Sequence, residues 1–341
     1  MKYDVTIGIP VFNMEKQIDY SLNSALNQTY PSIEFLVVDD GCCDDTIDVI
    51  KRIAQIHPRG KDIRIISHPR NLGVSASRNQ IIEEAKGNFL YFMDSDDRIS
   101  ENAIALLIQN VRQHDAEIAF GSYEKIEING DRTVYQYPYM LLLGKDQLAC
   151  FAYRKYAGIQ ASACNYLVKT SLLRENKLRF IEVNYWEDLV FTFDLVTYIS
   201  RAVLLPNITY SYYCRENSLS NYQGRKQIPK DEVLQNIHTI DYLKKTSSLF
   251  CHKVYFFNRC SIIVMTDFYI ACNILKRRND IIPSFSNKEI KAFLSHPATL
   301  RQICSSHHFR MRNLLLFALG KLPSPLCVAM IWCLGKLKKI I

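Results

Sequence analysis

The sequence lacks the glycine-rich signatures of two large classes of nucleotide-binding protein. It contains neither a Gly-x-x-x-x-Gly-Lys phosphate loop nor a Gly-x-Gly-x-x-Gly fingerprint. The first absence argues against a nucleoside triphosphatase and the second against a nicotinamide-dependent dehydrogenase. No recognisable nucleic-acid-binding module is present either, so we expect no nucleic-acid partner. Any phosphate group would therefore be bound by side chains and a metal ion.

Closely spaced cysteine motifs are also missing. The eleven cysteines occur singly, apart from the adjacent Cys42 and Cys43, and no Cys-x-x-Cys spacing occurs. Met1 to Asp4 lead directly into a predicted strand, so we expect no cleavable leader. These features favour a reducing, cytoplasmic environment in which most of the thiols fill space in the core.

Acidic residues are absent after Glu289, where eight lysines and arginines equal the whole formal net charge of +8. The apolar runs 314–319 and 326–334 are both shorter than the roughly 18 to 20 residues that a membrane-spanning helix needs. Short apolar helices beside basic residues and a Trp suit an anchor in the plane of an anionic membrane surface. We therefore expect residues 310–341 to make peripheral membrane contact. Two core helices of a small helical domain are the alternative.

The apolar content of 48% and charged content of 22% over 341 residues provide ample material for a core. Up to about residue 123, short β-branched runs alternate with helical periods. This pattern predicts an α/β fold with a Rossmann-like, mostly parallel sheet sandwiched by helices. The predicted strands are 5–9, 34–38, 63–67, 89–93 and 117–123.

Beyond this region the alternation is lost. Asn129-Gly130 predicts a hairpin, residues 144–156 and 187–200 predict helices, and residues 202–205 predict a short strand. Helical periodicity dominates from about residue 225. We expect an α/β domain over residues 1–222 and a helical C-terminal region over residues 223–341. Asn13, Ser75 and Ser100 lie where helix starts would be capped.

Polar residues and glycines follow the first four predicted strands. They are Pro10, Phe12 and Asn13; Asp39, Asp40 and Gly41; Asn71 and Gly73; and Asp94. Ligands of an open parallel sheet bind beyond the carboxyl ends of its strands. Two acidic groups at neighbouring strand ends therefore indicate one shared cleft, in which the glycines would let the backbone approach a ligand closely.

Three carboxylates lie within four positions in Asp94-Ser95-Asp96-Asp97, directly after an apolar run. Such a cluster is costly unless a cation neutralises it. Mg²⁺ and Mn²⁺ prefer oxygen ligands, and Mg²⁺ sites combine one or two carboxylates with substrate phosphates. We interpret the cluster as a metal site for a phosphorylated substrate. An acidic turn that caps the next helix is the alternative.

Two further features could carry chemistry. Arg70, Arg78 and Arg215 are candidates for phosphate contacts, although a single arginine is more often a surface charge. Glu187 and Asp188 lie on the first turn of a predicted helix, where the helix dipole stabilises negative charge. They could simply cap that helix, or one of them could act as a general base toward an acceptor hydroxyl.

Four segments, in this order and spacing, resemble the motifs of family 2 glycosyltransferases. They are Ile9-Pro10-Val11-Phe12-Asn13, the run from Val37 to Thr46, the run from Asn71 to Asn79, and Met93-Asp94-Ser95-Asp96-Asp97. Glu187-Asp188 and the run from Tyr213 to Ser220 also resemble family segments. The resemblance is strong over residues 3–125, thinner to about residue 222 and absent beyond.

The resemblance implies a glycosyltransferase A-type fold and a role for each matching residue. Pro10 and Asp40 would line the base pocket, with Asp39 beside it. Asp94 would face the ribose and Asp96 would hold the metal, as an Asp-x-Asp motif. Asp188 would be the catalytic base, with Glu187 as the weaker candidate. The remaining expected donor-binding residues are Phe12, Asn13, Asn71, Gly73, Arg78, Ser95 and Arg215.

The resemblance also implies an activity: inverting transfer of a sugar, dependent on Mn²⁺ or Mg²⁺, from a nucleotide-diphosphosugar to an acceptor hydroxyl. Uridine is the family's commonest base. We expect a glycan or lipid-linked acceptor, a role in cell-surface polysaccharide or glycolipid synthesis, and a location at the inner face of the cell membrane. A non-catalytic nucleotide-sugar-binding or scaffold protein and a sugar nucleotidyltransferase are the alternatives. Family members commonly have Tyr at Phe12 and Ser at Cys42, so two hydroxyls are absent here.

Overall fold

A computed structural model describes residues 3–154, 158–183, 185–215, 227–305 and 309–341 of the chain. It divides into two compact units. The first consists of Met1–Leu148 and Gln160–Ser218, and the second of Ala149–Ile159 and Leu219–Ile341. A short segment around residue 150 therefore belongs with the helical C-terminal part of the chain.

The first unit is built on one mixed sheet. Its strands are β1 (Tyr3–Val11), β2 (Ile33–Asp39), β3 (Ile63–Ser67), β4 (Gly87–Phe92), β5 (Arg98–Ile99), β6 (Ile118–Ile126), β7 (Arg132–Tyr135), β8 (Met140–Leu143), β9 (Tyr166–Lys169) and β10 (Arg201–Tyr213). Its helices are α1 (Ile18–Leu26), α2 (Thr46–Ile56), α3 (Val74–Glu84), α4 (Ala103–Gln113), α5 (Gln147–Arg154), α6 (Thr170–Glu175) and α7 (Glu187–Leu195), with a 3₁₀ turn at Gly60–Asp62. Helix α5 starts in this unit, and its residues from Ala149 belong to the second.

The strand order β3-β2-β1-β4-β9-β6-β10-β5 divides the sheet into two parts. The first four strands are parallel. Strand β9 then pairs antiparallel with both β4 and β6, while β6 and β10 are parallel to each other. Strands β7 and β8 pair antiparallel with β6 and β10. The predicted α/β fold is confirmed, and its sheet is mixed beyond β4.

The predicted strands of the parallel part are all present within two residues of their expected ends. Every residue of β2 is buried, as expected for a parallel strand covered on both faces. The hairpin at Asn129-Gly130 is confirmed, since it joins β6 to β7. Strand β10 is longer than predicted, because its pairing with β6 continues past an irregularity near Pro206.

Two kinds of local prediction were wrong. Strand β9 was not predicted, since four residues give too little pattern. The expected caps at Asn13, Ser75 and Ser100 do not cap helices: the residues preceding α1, α3 and α4 are Gln17, Gly73 and Asn102. The side chain of Asn13 instead accepts a hydrogen bond from the amide of Cys43.

The second unit is mainly helical. Its helices are α8 (Lys230–Ser247), α9 (Phe256–Lys276), α10 (Asn287–Ala292), α11 (Leu300–Ser305), α12 (Arg310–Lys321) and α13 (Ser324–Leu337), with a 3₁₀ turn at Ser248–Phe250. The short strands β11 (Ile228–Pro229) and β12 (Ile281–Ile282) pair in parallel. A buried cluster of Phe256, Cys260, Ala298 and Ile303 forms part of its core. Among the described residues, no helix combines the length and hydropathy needed to cross a bilayer.

Gly87 lies at the start of β4, where a side chain does not fit. A Cβ atom there would lie 2.4 Å from the backbone nitrogen of Thr6 and 2.5 Å from the carbonyl carbon of Val5. We expect Gly87→Ala to lower the free energy of unfolding by about 1–3 kcal/mol, because the backbones of β1 and β4 must move apart. Thermal and urea unfolding followed by circular dichroism measures this change.

Gly144→Ala is the matched control. Its added Cβ would meet the end of the Gln147 side chain, at 2.8 Å from Nε2, and that side chain can move. We expect little change in stability. Equal stability of the two variants would contradict the close approach of β1 and β4.

Candidate active site

The parallel strands bring the predicted site residues to one edge of the sheet. Val11 of β1 is paired with Asp39 of β2, and Gly8 of β1 with Phe92 of β4. The carboxyl ends of these three strands are therefore adjacent. The strand-end residues named from the sequence lie in the last residues of these strands or in the loops that follow them, except Asn71 and Gly73, which follow β3.

Asp40 anchors the loop between β3 and α3. Its carboxylate is buried and accepts hydrogen bonds from the amides of Leu72 (2.9 Å) and Gly73 (2.8 Å). The ring of His68 lies 2.7 Å from the same carboxylate. Gly73 has a φ of +92°, a conformation that side chains rarely adopt. Asp40 thus fixes the turn that starts α3.

The loops after β1 and β2 hold each other. Asp39 accepts a hydrogen bond from the amide of Cys42 at 2.8 Å, and Asn13 accepts one from the amide of Cys43 at 2.8 Å. Cys42 accepts a bond from the amide of Asn13 through its sulfur. Burial raises the pKa of this thiol to about 12, so it is neutral at physiological pH.

Phe12 and Pro10 differ in exposure. The Phe12 ring is 40% exposed, whereas Pro10 is buried within β1. Asn71 is exposed. An exposed aromatic ring beside a fixed polar loop offers a surface on which a flat ring can stack.

Each carboxylate of the Asp94 cluster has a different partner. Asp94 accepts a hydrogen bond from Arg78 at 2.8 Å, and Asp96 forms an ion pair with Arg215. Asp97 is buried and accepts bonds from the Tyr210 hydroxyl (2.6 Å) and the Tyr213 amide (2.9 Å). Ser95, between Asp94 and Asp96 in the sequence, is buried.

Asp97 and Tyr210 are structural supports that the sequence reasoning missed. The Tyr210 hydroxyl also accepts a bond from the amide of Asp94 at 3.3 Å, so one side chain of β10 holds the loop at two points. The sequence identified Asp97 as one of the three acids of the cluster, but not its structural role. Tyr210 lies 113 residues from Asp97, and no local pattern indicates that contact.

The negative charges of the cluster oppose one another. Burial, followed by the charge of Asp94, raises the pKa of Asp96, although Arg215 acts in the opposite direction. Burial and the charges of Asp96 and Asp94 raise the pKa of Asp97 well above its usual value. Additional positive charge at this point would relieve both effects.

The side chains of the described residues do not form a metal site by themselves, since no group of three or more His, Cys, Asp or Glu side chains among them could hold an ion. Asp94 and Asp96 provide two carboxylates, and Mg²⁺ commonly uses one or two carboxylates together with substrate phosphates. The donor set therefore suits an ion that binds together with a diphosphate.

The chain turns sharply before α7. Trp186 has a left-handed backbone with φ of 64°, and the helix begins at Glu187. Glu187 is buried and accepts a hydrogen bond from Arg78 at 2.6 Å. Asp188 is half-buried and accepts a bond from the Leu189 amide at 2.7 Å. The prediction that both carboxylates lie on the first turn is confirmed.

Asp188 has the proton affinity of a base that works near neutral pH. Burial, followed by the charge of Glu187, raises its pKa to about 7, while Arg78 opposes the shift. A group with this pKa is half ionised near pH 7 and can accept a proton from a substrate hydroxyl.

The three candidate arginines lie in different environments. Arg78 is buried between Asp94 and Glu187, and Arg215 is partly exposed beside Asp96. Arg70 is exposed, and within the described chain it contacts none of the acidic site residues. Arg215 also lines an open cavity of about 550 Å³ together with Gln17, Glu127, Ile128 and Tyr213.

The sequence profile described as "Glycosyl transferase family 2" matches residues 6–176. A cholesterol galactosyltransferase of Borreliella burgdorferi is 24% identical over 74% of this chain and 72% of its own length. A poly(ribitol-phosphate) beta-glucosyltransferase of Bacillus spizizenii is 28% identical over 72% of this chain and 37% of its own length.

A crystal structure of S. aureus TarS residues 1–349, in complex with UDP-GlcNAc, has a similar fold. It superposes with a TM-score of 0.64 at 18% sequence identity and covers 94% of this chain and 90% of the TarS chain. At this identity the likeness concerns the fold alone.

Asp40→Asn tests the anchoring of the loop before α3. The amide of Asn would replace one carboxylate oxygen and leave a buried N–H donor without an acceptor. We expect the free energy of unfolding to fall by about 1–3 kcal/mol, with faster hydrogen exchange at Leu72 and Gly73. Asp45→Asn, at an exposed acid nearby, should change neither measurement. Protected Leu72 and Gly73 amides in Asp40→Asn would contradict the anchoring role.

Proposed function

Because this chain belongs to glycosyltransferase family 2, we propose that it transfers a sugar from a nucleotide-diphosphosugar to an acceptor hydroxyl with inversion at the anomeric carbon. The single observation that supports this most directly is the position of Asp188: it lies on the first turn of α7 next to Glu187, and Arg78 joins Glu187 to Asp94 of the acidic cluster. A base of this kind suits the removal of a proton from a hydroxyl nucleophile.

The donor is proposed to be a UDP-sugar, a class supported by the UDP-GlcNAc bound to TarS. The loops fixed by Asp39 and Asp40 would bind the nucleoside. Phe12 offers an exposed ring for the base, while Pro10, Asn13, Asn71 and Gly73 would shape the pocket. Asp94 and Ser95 would face the ribose and the diphosphate.

Asp94 and Asp96 would hold Mn²⁺ or Mg²⁺. When bound, such an ion neutralises the charge that develops on the departing diphosphate. Arg215 would contribute a further positive charge on the same side, since it lies against Asp96. Arg78 would keep Asp94 oriented, because its guanidinium is buried and bonded to that carboxylate.

The proposed reaction is a single displacement. The acceptor hydroxyl gives its proton to the carboxylate of Asp188, and its oxygen forms a bond to the anomeric carbon. The bond from that carbon to the phosphate oxygen breaks, and the nucleoside diphosphate leaves with the electron pair. Attack opposite the leaving group inverts the configuration, and the fixed positions of donor and acceptor lower the entropic barrier.

Asp188→Asn removes the base and nearly preserves the shape of the side chain. We expect kcat to fall by about a thousandfold, while binding of the UDP-sugar with Mn²⁺ is retained. Release of UDP measures turnover, and calorimetry measures donor binding. Glu182→Gln, at an exposed acid of the preceding loop, should retain full activity. Normal turnover by Asp188→Asn would remove Asp188 from this role.

The pH dependence follows from the raised pKa of Asp188. Below pH 7 the carboxylate is increasingly protonated and cannot accept the hydroxyl proton. We therefore expect kcat/KM to fall about tenfold per pH unit below 7 and to level off above it. A flat rate between pH 5 and pH 8, measured with saturating metal, would contradict a base of this pKa.

The acceptor is proposed to be a glycan or a lipid-linked glycan of the cell surface. The names of two relatives, a cholesterol galactosyltransferase and a poly(ribitol-phosphate) beta-glucosyltransferase, support polysaccharide or glycolipid synthesis. We place the enzyme in the cytoplasm, at the inner face of the cell membrane. Peripheral contact through residues 310–341 would bring it to such an acceptor.

The apolar character of α13 supports this contact. A stripe of Cys327, Val328, Ile331 and Gly335 is buried. The rest of the helix exposes large apolar side chains, including Met330 (43%), Trp332 (49%) and Leu337 (80%). Lysines 336, 338 and 339 lie beside them. Exposed apolar groups bordered by positive charge match the surface of an anionic leaflet.

A triple variant, Met330→Gln, Trp332→Gln and Leu337→Gln, tests the contact without disturbing the buried stripe. We expect the intact protein to sediment with vesicles that contain phosphatidylglycerol, and the variant to bind at least tenfold more weakly. Leu249→Gln with Val254→Gln removes two exposed apolar groups elsewhere in the second unit and should bind normally. Equal binding by all three proteins would contradict membrane contact through α13.

A further inference from the structure

Arg78 connects two segments that are distant in the sequence. It lies on α3, and its side chain is 5% exposed. One terminal nitrogen donates to Asp94 at 2.8 Å, and the other donates to Glu187 at 2.6 Å. Burial alone would lower the pKa of Arg78, but the two carboxylates outweigh it and raise it well above the ordinary value. Arg78 therefore stays charged.

Glu187 is less suited than Asp188 to accept a proton, because it is paired with Arg78. Glu187 is 8% exposed, and Oε1 of its carboxylate accepts from the buried guanidinium. A carboxylate in such an ion pair is a poor proton acceptor, since protonation would break the pair. Asp188 has no ion pair within the described chain, and it is more exposed than Glu187.

We propose that Glu187 is a positioning residue: through Arg78 it joins the first turn of α7 to Asp94, and its charge adjusts the basicity of Asp188. This inference rests on the proposed function, in which Asp188 is the base and Asp94 belongs to the donor site. The donor side and the acceptor side of the reaction then share one buried cation.

The charged and titratable groups that face Asp188 come from four segments. Glu187 lies beside it on α7, Arg78 faces it from α3, and Asp94 faces it from the loop after β4. Tyr166 of β9 is also close and is neutral at physiological pH, because burial raises the pKa of its hydroxyl. Of these groups, Glu187 is the negative charge with the largest effect on Asp188.

Glu187→Gln separates the charge of Glu187 from its hydrogen bond. The amide oxygen can still accept from Arg78, but the negative charge beside Asp188 is lost. The pKa of Asp188 should then fall, since the ionised form no longer faces Glu187 and Arg78 is less neutralised. We expect the acid limb of kcat/KM against pH to move about one pH unit lower, with kcat at pH 8.5 within about threefold of the parent because a weaker base accepts the proton.

Glu187→Ala removes both the charge and the bond. Arg78 would then have Asp94 as its one remaining carboxylate partner and would no longer be fixed in position by Glu187. We therefore expect the same shift of the acid limb, together with three- to tenfold weaker UDP binding by calorimetry in Mn²⁺ buffer, because Asp94 belongs to the proposed donor site. Glu182→Gln removes one negative charge from the exposed loop and should leave the pH profile and UDP affinity unchanged. Circular dichroism and melting temperature establish that each variant is folded.

The outcomes separate this inference from the proposed function. Absence of UDP release by the parent with every donor and acceptor would overturn the proposed function itself. If the parent is active and folded Glu187→Gln retains its acid limb, Glu187 does not adjust Asp188. Loss of activity by a thousandfold in Glu187→Gln, with an active Asp188→Asn, would make Glu187 the base and overturn the inference.

Discussion

Neutralisation of crowded carboxylates is the constraint on which the site depends. Asp94, Asp96 and Asp97 follow one strand, and Glu187 and Asp188 begin a helix that faces them through Arg78. Carboxylates that lie close together raise one another's pKa, and burial adds to this effect. Arg78 and Arg215 offset part of this repulsion with their charges, and the Tyr210 hydroxyl and the Tyr213 amide offset part of it with hydrogen bonds to Asp97. The remaining imbalance raises the pKa of Asp97 and of Asp188, and a bound cation would reduce it.

The parallel half of the sheet creates this crowding, and β10 limits it. Strands β1, β2 and β4 end at one edge and place their acidic loops side by side. Tyr210 and Tyr213 of β10 then bind both oxygens of Asp97. Both oxygens of Asp97 are thus bonded within the protein, which gives this acid a structural role. Asp94 and Asp96 are paired with arginines instead, and they are the two acids to which the proposed function assigns the metal.

The sequence predicted the parts of the site that lie close together in the chain. Short β-branched runs identified β1 to β4, and β2, which is buried along its whole length, shows no polar alternation. The Asp94 cluster and Glu187-Asp188 were likewise recognised as contiguous groups. The pairing of Arg78 with Glu187 spans 109 residues and depends on the tertiary fold, which brings a residue of α3 to the start of α7. No periodicity contains that information.

Contacts between distant parts of the chain also explain why the sequence predicted the position of Asp40 at the site but not its hydrogen-bond partners. Its position after β2 marked it as a site residue, and a free carboxylate there would be expected to face a ligand. The structure surrounds it with the amides of Leu72 and Gly73 and the ring of His68. These groups come from the loop after β3, whose path follows from a glycine with positive φ. What the structure shows for Asp40 is therefore the anchoring of this loop.

The two arginines of the site differ in how firmly they are held, and this difference bears on their roles. Arg78 has two carboxylate partners and is buried, so moving it would leave two acids without a counter-charge. Among the described residues, Arg215 contacts one carboxylate and the thioether of Met14, and its side chain is 29% exposed. The Nε atoms of both arginines lack a hydrogen-bond partner among the described residues, so the two side chains differ in their carboxylate partners and their burial. Replacing Asp96 by another anionic partner therefore costs less free energy for Arg215 than replacing the two carboxylate partners would cost for Arg78. In the proposed function, this makes Arg215 the arginine better suited to pair with the diphosphate of the donor.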